Sequence, residues 1–176
     1  MDEASRLREA IRSIPDFPRP GILFRDISPM LEDANLFRAS IELLARACQG
    51  IDCSKIAGLD ARGFIFGAAL AYRMGVGFVP IRKKGKLPYR TIAQAYDLEY
   101  GSAALEIQAD SIAHGEKILL VDDLLATGGT ARAAISLVRE LGAEIQAALF
   151  VIELDGLCGR ESLGDLSVRS LIRFPA

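Results

Sequence analysis

The chain has 176 residues, 51% of them hydrophobic and 25% charged, with a formal net charge of −2. That length suits one globular domain burying about 70% of its unfolded surface, and that charge argues against a nucleic-acid binder working through electrostatics. Cys48, Cys53 and Cys158 are odd in number and lack C-x-x-C spacing, which argues against a disulfide framework and a zinc site, and the single histidine, His114, argues against a metal cluster and Ser-His-Asp hydrolysis.

From the N-terminus, Leu7, Ile11 and Ile14 share one face and predict an amphipathic helix over 3–14. This acidic start does not read as a secretory signal. Pro15, Pro18 and Pro20 then bracket Phe17, so the segment to Gly21 can be neither helix nor central strand. Its apolar residues need a surface to pack on. Either it caps the core or it walls a ligand pocket, and the two readings are compatible. Ser28 reads as an N-cap with Pro29 at the first helical position. Asp33 caps a helix over 34–49 that buries Phe37, Ile41, Leu44 and Cys48.

Ile56-Ala57-Gly58-Leu59 is a short buried strand ending at Asp60-Ala61-Arg62-Gly63, followed by a helix from Phe64 to Met74 and a strand over 77–81. The apolar tract from Gly63 to Tyr72 is too short to cross a bilayer, and a cytoplasmic protein is expected. Arg82, Lys83, Lys84 and Lys86 form a cationic run opening a stretch to about residue 98. It is a solvated linker or a lid over an anion. Residues 95–101 and 103–107 alternate as edge-strand segments, with Glu99 as a strand acid. His114 reads as a surface residue before Gly115.

Ile118 to Val121 is a strand buried on both faces that runs straight into Asp122 and Asp123. Thr127-Gly128-Gly129-Thr130 follows and opens a helix with Ala134, Ile135, Val138 and Leu141 on one face and Gly142 at its end. Strands over 145–154 and 168–174 flank an irregular insert at 157–163.

The chemistry concentrates at two strand ends. A glycine pair at a helix start lets backbone N–H groups surround an anion, which the helix dipole also favours. Two carboxylates just before it suit sugar hydroxyls, so the run from Asp122 to Thr130 fits a sugar phosphate. The Asp60–Gly63 turn repeats the arrangement with Arg62, whose guanidinium can grip phosphate oxygens bidentately. One loop would hold a 5-phosphate and the other a diphosphate. No Gly-Lys-Ser/Thr and no G-x-G-x-x-G is present, which excludes the common nucleotide loops.

On these residues the chain resembles the type I phosphoribosyltransferases, through the Asp122–Thr130 run. Pro15-Asp16-Phe17-Pro18, Phe24-Arg25-Asp26-Ile27-Ser28-Pro29, Ala61-Arg62-Gly63-Phe64, Arg82–Pro88 and Leu98-Glu99-Tyr100-Gly101 narrow the likeness to members that use adenine. The resemblance implies an α/β fold with a central parallel sheet flanked by helices, a small hood from about 15–30 and 155–165, and a mobile catalytic loop at about 83–98. It implies one domain over 1–176, a homodimer, and no nucleic-acid or membrane partner. The implied reaction is purine salvage: adenine and phosphoribosyl diphosphate give AMP and diphosphate, with Mg²⁺ held mainly by substrate and water.

Carried onto this chain, Ala126, Thr127, Gly128, Gly129 and Thr130 would bind the 5-phosphate and Asp122 and Asp123 the ribose. Asp60, Ala61 and Arg62, in a loop with a non-proline cis peptide, would take the diphosphate with Arg82, Lys83 and Lys86. Leu23, Phe24, Arg25 and Leu157 would line the adenine site. Glu99 would be the acid–base group, with Tyr100 beside it in the loop. An enzyme of this fold for xanthine or hypoxanthine–guanine is disfavoured by the hood residues. A phosphoribosyl-diphosphate-sensing regulator lacks a helix-turn-helix or basic face here, and a response-regulator receiver would leave the second anion loop unexplained.

Overall fold

The computed structural model describes residues 2–97 and 102–176. Its framework is a seven-stranded sheet. Strands β3 (Lys55–Leu59), β4 (Gly77–Lys83), β7 (Lys117–Leu125), β8 (Glu144–Asp155) and β9 (Val168–Pro175) run parallel, and the antiparallel pair β5 (Thr91–Asp97) and β6 (Ser102–Gln108) extends the β4 edge. The order is β5-β6-β4-β3-β7-β8-β9. The antiparallel edge is the one departure from the expected parallel sheet.

Strand β7 sorts its side chains as the sequence pattern demands. Ile118 and Leu120 enter one core and Leu119 and Val121 the other, all fully buried. Helix α5 (Gly129–Glu140) covers the first face with Ala134, Ile135 and Val138. Helices α1 (Glu3–Ala10), α3 (Ala34–Ala47) and α4 (Gly63–Met74) cover the second with Leu7, Leu44, Phe66 and Leu70. The chain leaves β3 through α4 toward β4 but leaves β7 through α5 toward β8, on the other side and in the other direction. The carboxyl ends of β3 and β7 therefore border a topological switch point, where an open α/β sheet has a crevice.

The first helix stops at Ala10, short of the expected residue 14. Ile14 precedes Pro15, which disfavours helical backbone, and residues Arg12–Pro15 instead form β1, antiparallel to β2 (Leu23–Asp26). The intervening turn holds a cis Phe17–Pro18 bond, and Phe17 meets Phe24 edge-on at 5.0 Å. This hairpin is tied to the end of the sheet. The Arg25 guanidinium donates to the Pro175 carbonyl at 2.9 Å, and both Arg8 and Arg25 lie 4.4 Å from the Phe174 ring centre.

Ser28 is not the cap of α2 (Ser28–Glu32) but its first residue. Asp26 does the capping: one carboxylate oxygen accepts from the Ser28 amide at 2.9 Å and its hydroxyl at 2.6 Å. An aspartate two residues upstream reaches an amide that a serine at the helix start cannot. Asp33 caps α3 as expected, accepting from Asn35 and Leu36.

Within the expected loop stretch, a turn near Gly85 leads into β5, which pairs along its whole length with β6. The alternation of Ile92 and Gln94 with small alanines suits an edge strand. Glu106, buried in β6, accepts from the amides of Lys86 at 2.8 Å and Leu87 at 2.7 Å and so pins the turn to the sheet.

Hydrogen bonds from Ser28 hold the Asp26 carboxyl down at about 2, against an ordinary value of 3.8. A depressed carboxylate adds stability above its unfolded pKa and loses it as pH falls through the folded one. Asp26→Ala should therefore cost about 1 kcal/mol at neutral pH, and the gap to the parent should close between pH 3.8 and about 2. Urea unfolding across that range checks both points; a gap independent of pH would contradict the capping role.

Candidate active site

Both anion loops open onto the crevice between β3 and β7. The peptide Asp60–Ala61 is cis, and Arg62 stands at the start of α4. Helix α4 comes this close to β7 because residue 63 is glycine. A Cβ there would lie 2.8 Å from both Asp122 Oδ1 and the Val121 carbonyl oxygen. The approach delivers Arg62 to the acid pair, with Arg62 Nε 2.9 Å from Asp123 Oδ2. The same guanidinium lies 5.3 Å from the Phe24 ring centre, so Arg62 links the hood, the Asp60–Gly63 turn and the acid pair.

Strand β7 does not stop at Val121 but runs on to Leu125, so Asp122 and Asp123 lie within the last rungs of its ladder beside two buried cores, and this sets their electrostatics. Burial pushes the Asp122 carboxyl well above the usual carboxylate range, and the neighbouring Asp123 adds to the rise. Burial also raises Asp123, although Arg62 opposes it. Asp122 Oδ1 accepts from the Asp123 amide at 2.8 Å, whereas buried Asp123 Oδ2 contacts Arg62 without forming a hydrogen bond to any described residue. Asp123 is thus a buried carboxylate short of donors.

After β7 the chain turns through Gly128, whose φ of +84° suits glycine, and enters α5. Thr127, Gly128, Gly129 and Thr130 line a cavity of about 140 Å³ together with Asp122, Leu125, Ala126 and Phe150. The first amides of an α-helix have no partner within the helix, so this cavity can hold an anion.

The hood encloses a second cavity of about 440 Å³. Leu23, Phe24, Arg25 and Leu157 all line it, together with Arg62 and Ala126. Arg25 borders it while its two terminal guanidinium nitrogens donate to Ser13 and Pro175, and its buried Nε has no hydrogen-bond partner among the described residues. Sequence reasoning missed Leu124, Leu154 and the C-terminal Pro175 and Ala176, which complete the apolar wall. Leu124, beside the two acids, was the one with a local signal; the others arrive only because β8 and β9 end at the crevice.

The remaining cations are placed less directly. Arg82 Nε lies 3.3 Å from Asp60 Oδ2 and its Nη1 donates to the Lys86 carbonyl at 3.0 Å, so Arg82 braces the diphosphate loop from behind. Lys83 and Lys86 are exposed on the same edge. Glu99 and Tyr100 lie outside the described residues. Among the described residues no cluster of three or more His, Cys, Asp or Glu groups could cage a metal. The oxygen donors that fit Mg²⁺ here are the two aspartates, in the company of substrate oxygens.

This arrangement agrees with the comparisons. Residues 30–172 match the family model described as a phosphoribosyl transferase domain. The adenine phosphoribosyltransferase of Methylococcus capsulatus is 57% identical over 169 residues, covering 96% of this chain and 99% of that one. The crystal structure of adenine phosphoribosyltransferase from Thermoanaerobacter pseudethanolicus superposes with a TM-score of 0.96 at 50% identity, over 97% of this chain and 99% of that one. The Saccharomyces cerevisiae enzyme, solved with an imino-altritol bisphosphate and adenine, does so at 0.91 with 42% identity, over 97% and 98%. The chain belongs to the phosphoribosyltransferase family and, within it, to the adenine phosphoribosyltransferases.

The raised Asp122 carboxyl carries a stability consequence. An acid whose folded pKa is raised contributes stability below its unfolded value and loses it as pH rises through the folded one. Asp122→Asn should thus unfold at a higher temperature than the parent at pH 7, with the two converging in acid. Scanning calorimetry at both pH values checks this, and a destabilised variant at pH 7 would remove the burial argument.

Proposed function

We propose that the protein transfers the 5-phosphoribosyl group from phosphoribosyl diphosphate to adenine, releasing AMP and diphosphate. The observation that carries this reading is that Leu124 and Ala126 line both cavities, with Asp122 lining the one at the start of α5. A flat apolar base fits under the hood, a phosphate fits over the α5 N-terminus, and a ribose between them meets Asp122 and Asp123. The relatives carry the corresponding name, and the yeast structure holds adenine with a bisphosphate.

Breaking the bond between the anomeric carbon and diphosphate builds positive character on the ribose and negative charge on the leaving group. Preorganised opposite charge on both sides is the largest catalytic contribution such a site can make. Asp122 and Asp123 face the sugar. On the leaving-group side stand Arg62 and the Asp60–Ala61 backbone, with Lys83, Lys86 and the bracing Arg82 along the same edge. Arg62 pairs with Asp123 in the structure, so engaging diphosphate would transfer its charge from the acid to the phosphate. Glu99 takes the proton from the attacking purine nitrogen in this reading, and Tyr100 belongs to the same loop. Mg²⁺ bound with the diphosphate supplies charge neutralisation.

The assembly proposed is a homodimer. Ile65 and Tyr72, seven residues apart on α4, leave an exposed apolar face, with Tyr72 91% exposed. The proposed compartment is the cytoplasm. The free thiols of Cys48, Cys53 and Cys158 agree with a reducing setting, and among the described residues no helix is long and apolar enough to cross a membrane.

Supplied with phosphoribosyl diphosphate and Mg²⁺, the protein should form nucleotide from adenine and not from hypoxanthine, guanine or xanthine. Turnover of another base would overturn the reading of the hood. Asp123→Asn should lower kcat/KM by about 100-fold while the fold persists by circular dichroism. Glu99→Gln should lower kcat far more than it weakens adenine binding, and an unchanged kcat would remove its proton-transfer role.

A further inference from the structure

The insert between β8 and β9 does more than lend Leu157 to the base cavity. Its Gly159 lies against the phosphate loop so closely that a Cβ would sit 2.1 Å from the Ala126 carbonyl oxygen and 3.0 Å from Leu125 Cγ. The contact is matched from the other side. A Cβ on Gly128 would meet Ser162 Oγ at 2.1 Å and the Gly159 carbonyl oxygen at 2.8 Å. Ser162 Oγ donates to that same Gly159 carbonyl at 2.7 Å, which closes the insert on itself where it meets the loop.

A polar anchor holds the insert in this position. Glu153, 5% exposed near the end of β8, accepts from Arg160 Nε at 3.0 Å and Nη2 at 2.6 Å, and also from the Ser170 hydroxyl. Arg160 Nη1 donates in turn to the Val168 carbonyl at 2.5 Å. One guanidinium thus ties the insert to both strands that bracket it. A buried carboxylate is costly unless fully paired, so this anchor has one well-satisfied arrangement.

We infer that Gly159 and Arg160 are positioning residues for phosphoribosyl transfer, setting the phosphate loop and the base wall in one fixed relation through the insert at 156–164. The inference rests on the function proposed above. Neither residue lies in the phosphate cavity, and Ala126, the backbone that Gly159 touches, borders both cavities. Displacing the insert must move Leu157 on one side and Ala126 on the other.

Gly159 is not among the residues with positive φ, so alanine meets no backbone objection there beyond the contact itself. Gly159→Ala should weaken binding of ribose 5-phosphate, measured by calorimetry, by about tenfold, and should raise KM for both adenine and phosphoribosyl diphosphate by more than it lowers kcat. Arg160→Lys keeps the charge but loses the fork, and should show the same signature at about threefold; it serves if the alanine variant does not fold. Ribose 5-phosphate affinity and both KM values unchanged in these variants, whatever happens to the melting temperature, would overturn the inference. So would an effect confined to one substrate, because the insert would then serve a single pocket. Turnover of adenine by the parent tests the functional reading separately, since the binding measurement requires no reaction.

Discussion

Two adjacent carboxylates at the end of a strand buried on both faces are the constraint around which this molecule is built. Strand β7 owes its place in the sheet to Ile118, Leu119, Leu120 and Val121, which feed two separate cores. Such burial leaves Asp122 and Asp123 little water, and both carboxyls rise from their ordinary values for that reason. A fold pays for that arrangement only where the charges have later use. Arg62 offsets part of the cost, and it reaches Asp123 because Gly63 lets α4 press against the end of β7.

The same economy of contact recurs across the crevice. Gly63 brings the diphosphate loop to the acids, and Gly159 brings the insert to the phosphate loop. In both places a missing side chain lets backbone approach backbone, and a nearby guanidinium fixes the result. Arg62 does so on one side and Arg160 on the other. The hood is held in a third way, with Arg8 and Arg25 both packed on the Phe174 ring. Apolar packing supplies the sheet, whereas arginines set the angles at which its loops meet.

The Asp60–Gly63 and Asp122–Thr130 runs were legible as turns because each is contiguous with its own chemistry, and the structure brings them to neighbouring strands. Leu23, Phe24 and Leu157 were also legible, through likeness to a family, and they share one cavity. Other expectations failed where a local signal met a competing one. Ile14 fitted a helical face, but the proline after it and the pairing with Phe24 across β1 and β2 favour an extended chain. Ser28 carried a capping residue type, yet Asp26 reaches the amide better. The cationic stretch after Lys83 read as a linker or lid, and only from residue 95 as strand; pairing with β6 starts the strand already at Thr91.

The sequence by itself determined the central strands and helices from α3 onward, the two glycine-bearing turns and the acids before one of them, because each depends on residues within a few positions of one another. Only the tertiary structure decided which of those groups face each other. The Arg62–Asp123 pair spans 61 positions, and Glu106 pins a turn about 20 residues away. Gly159 rests on a carbonyl 33 residues upstream. No local pattern encodes such distances. They follow from the parallel strands β3 and β7 sending their crossovers to opposite sides of the sheet, which places the ends of two strands beside one crevice and leaves the arginines to join them.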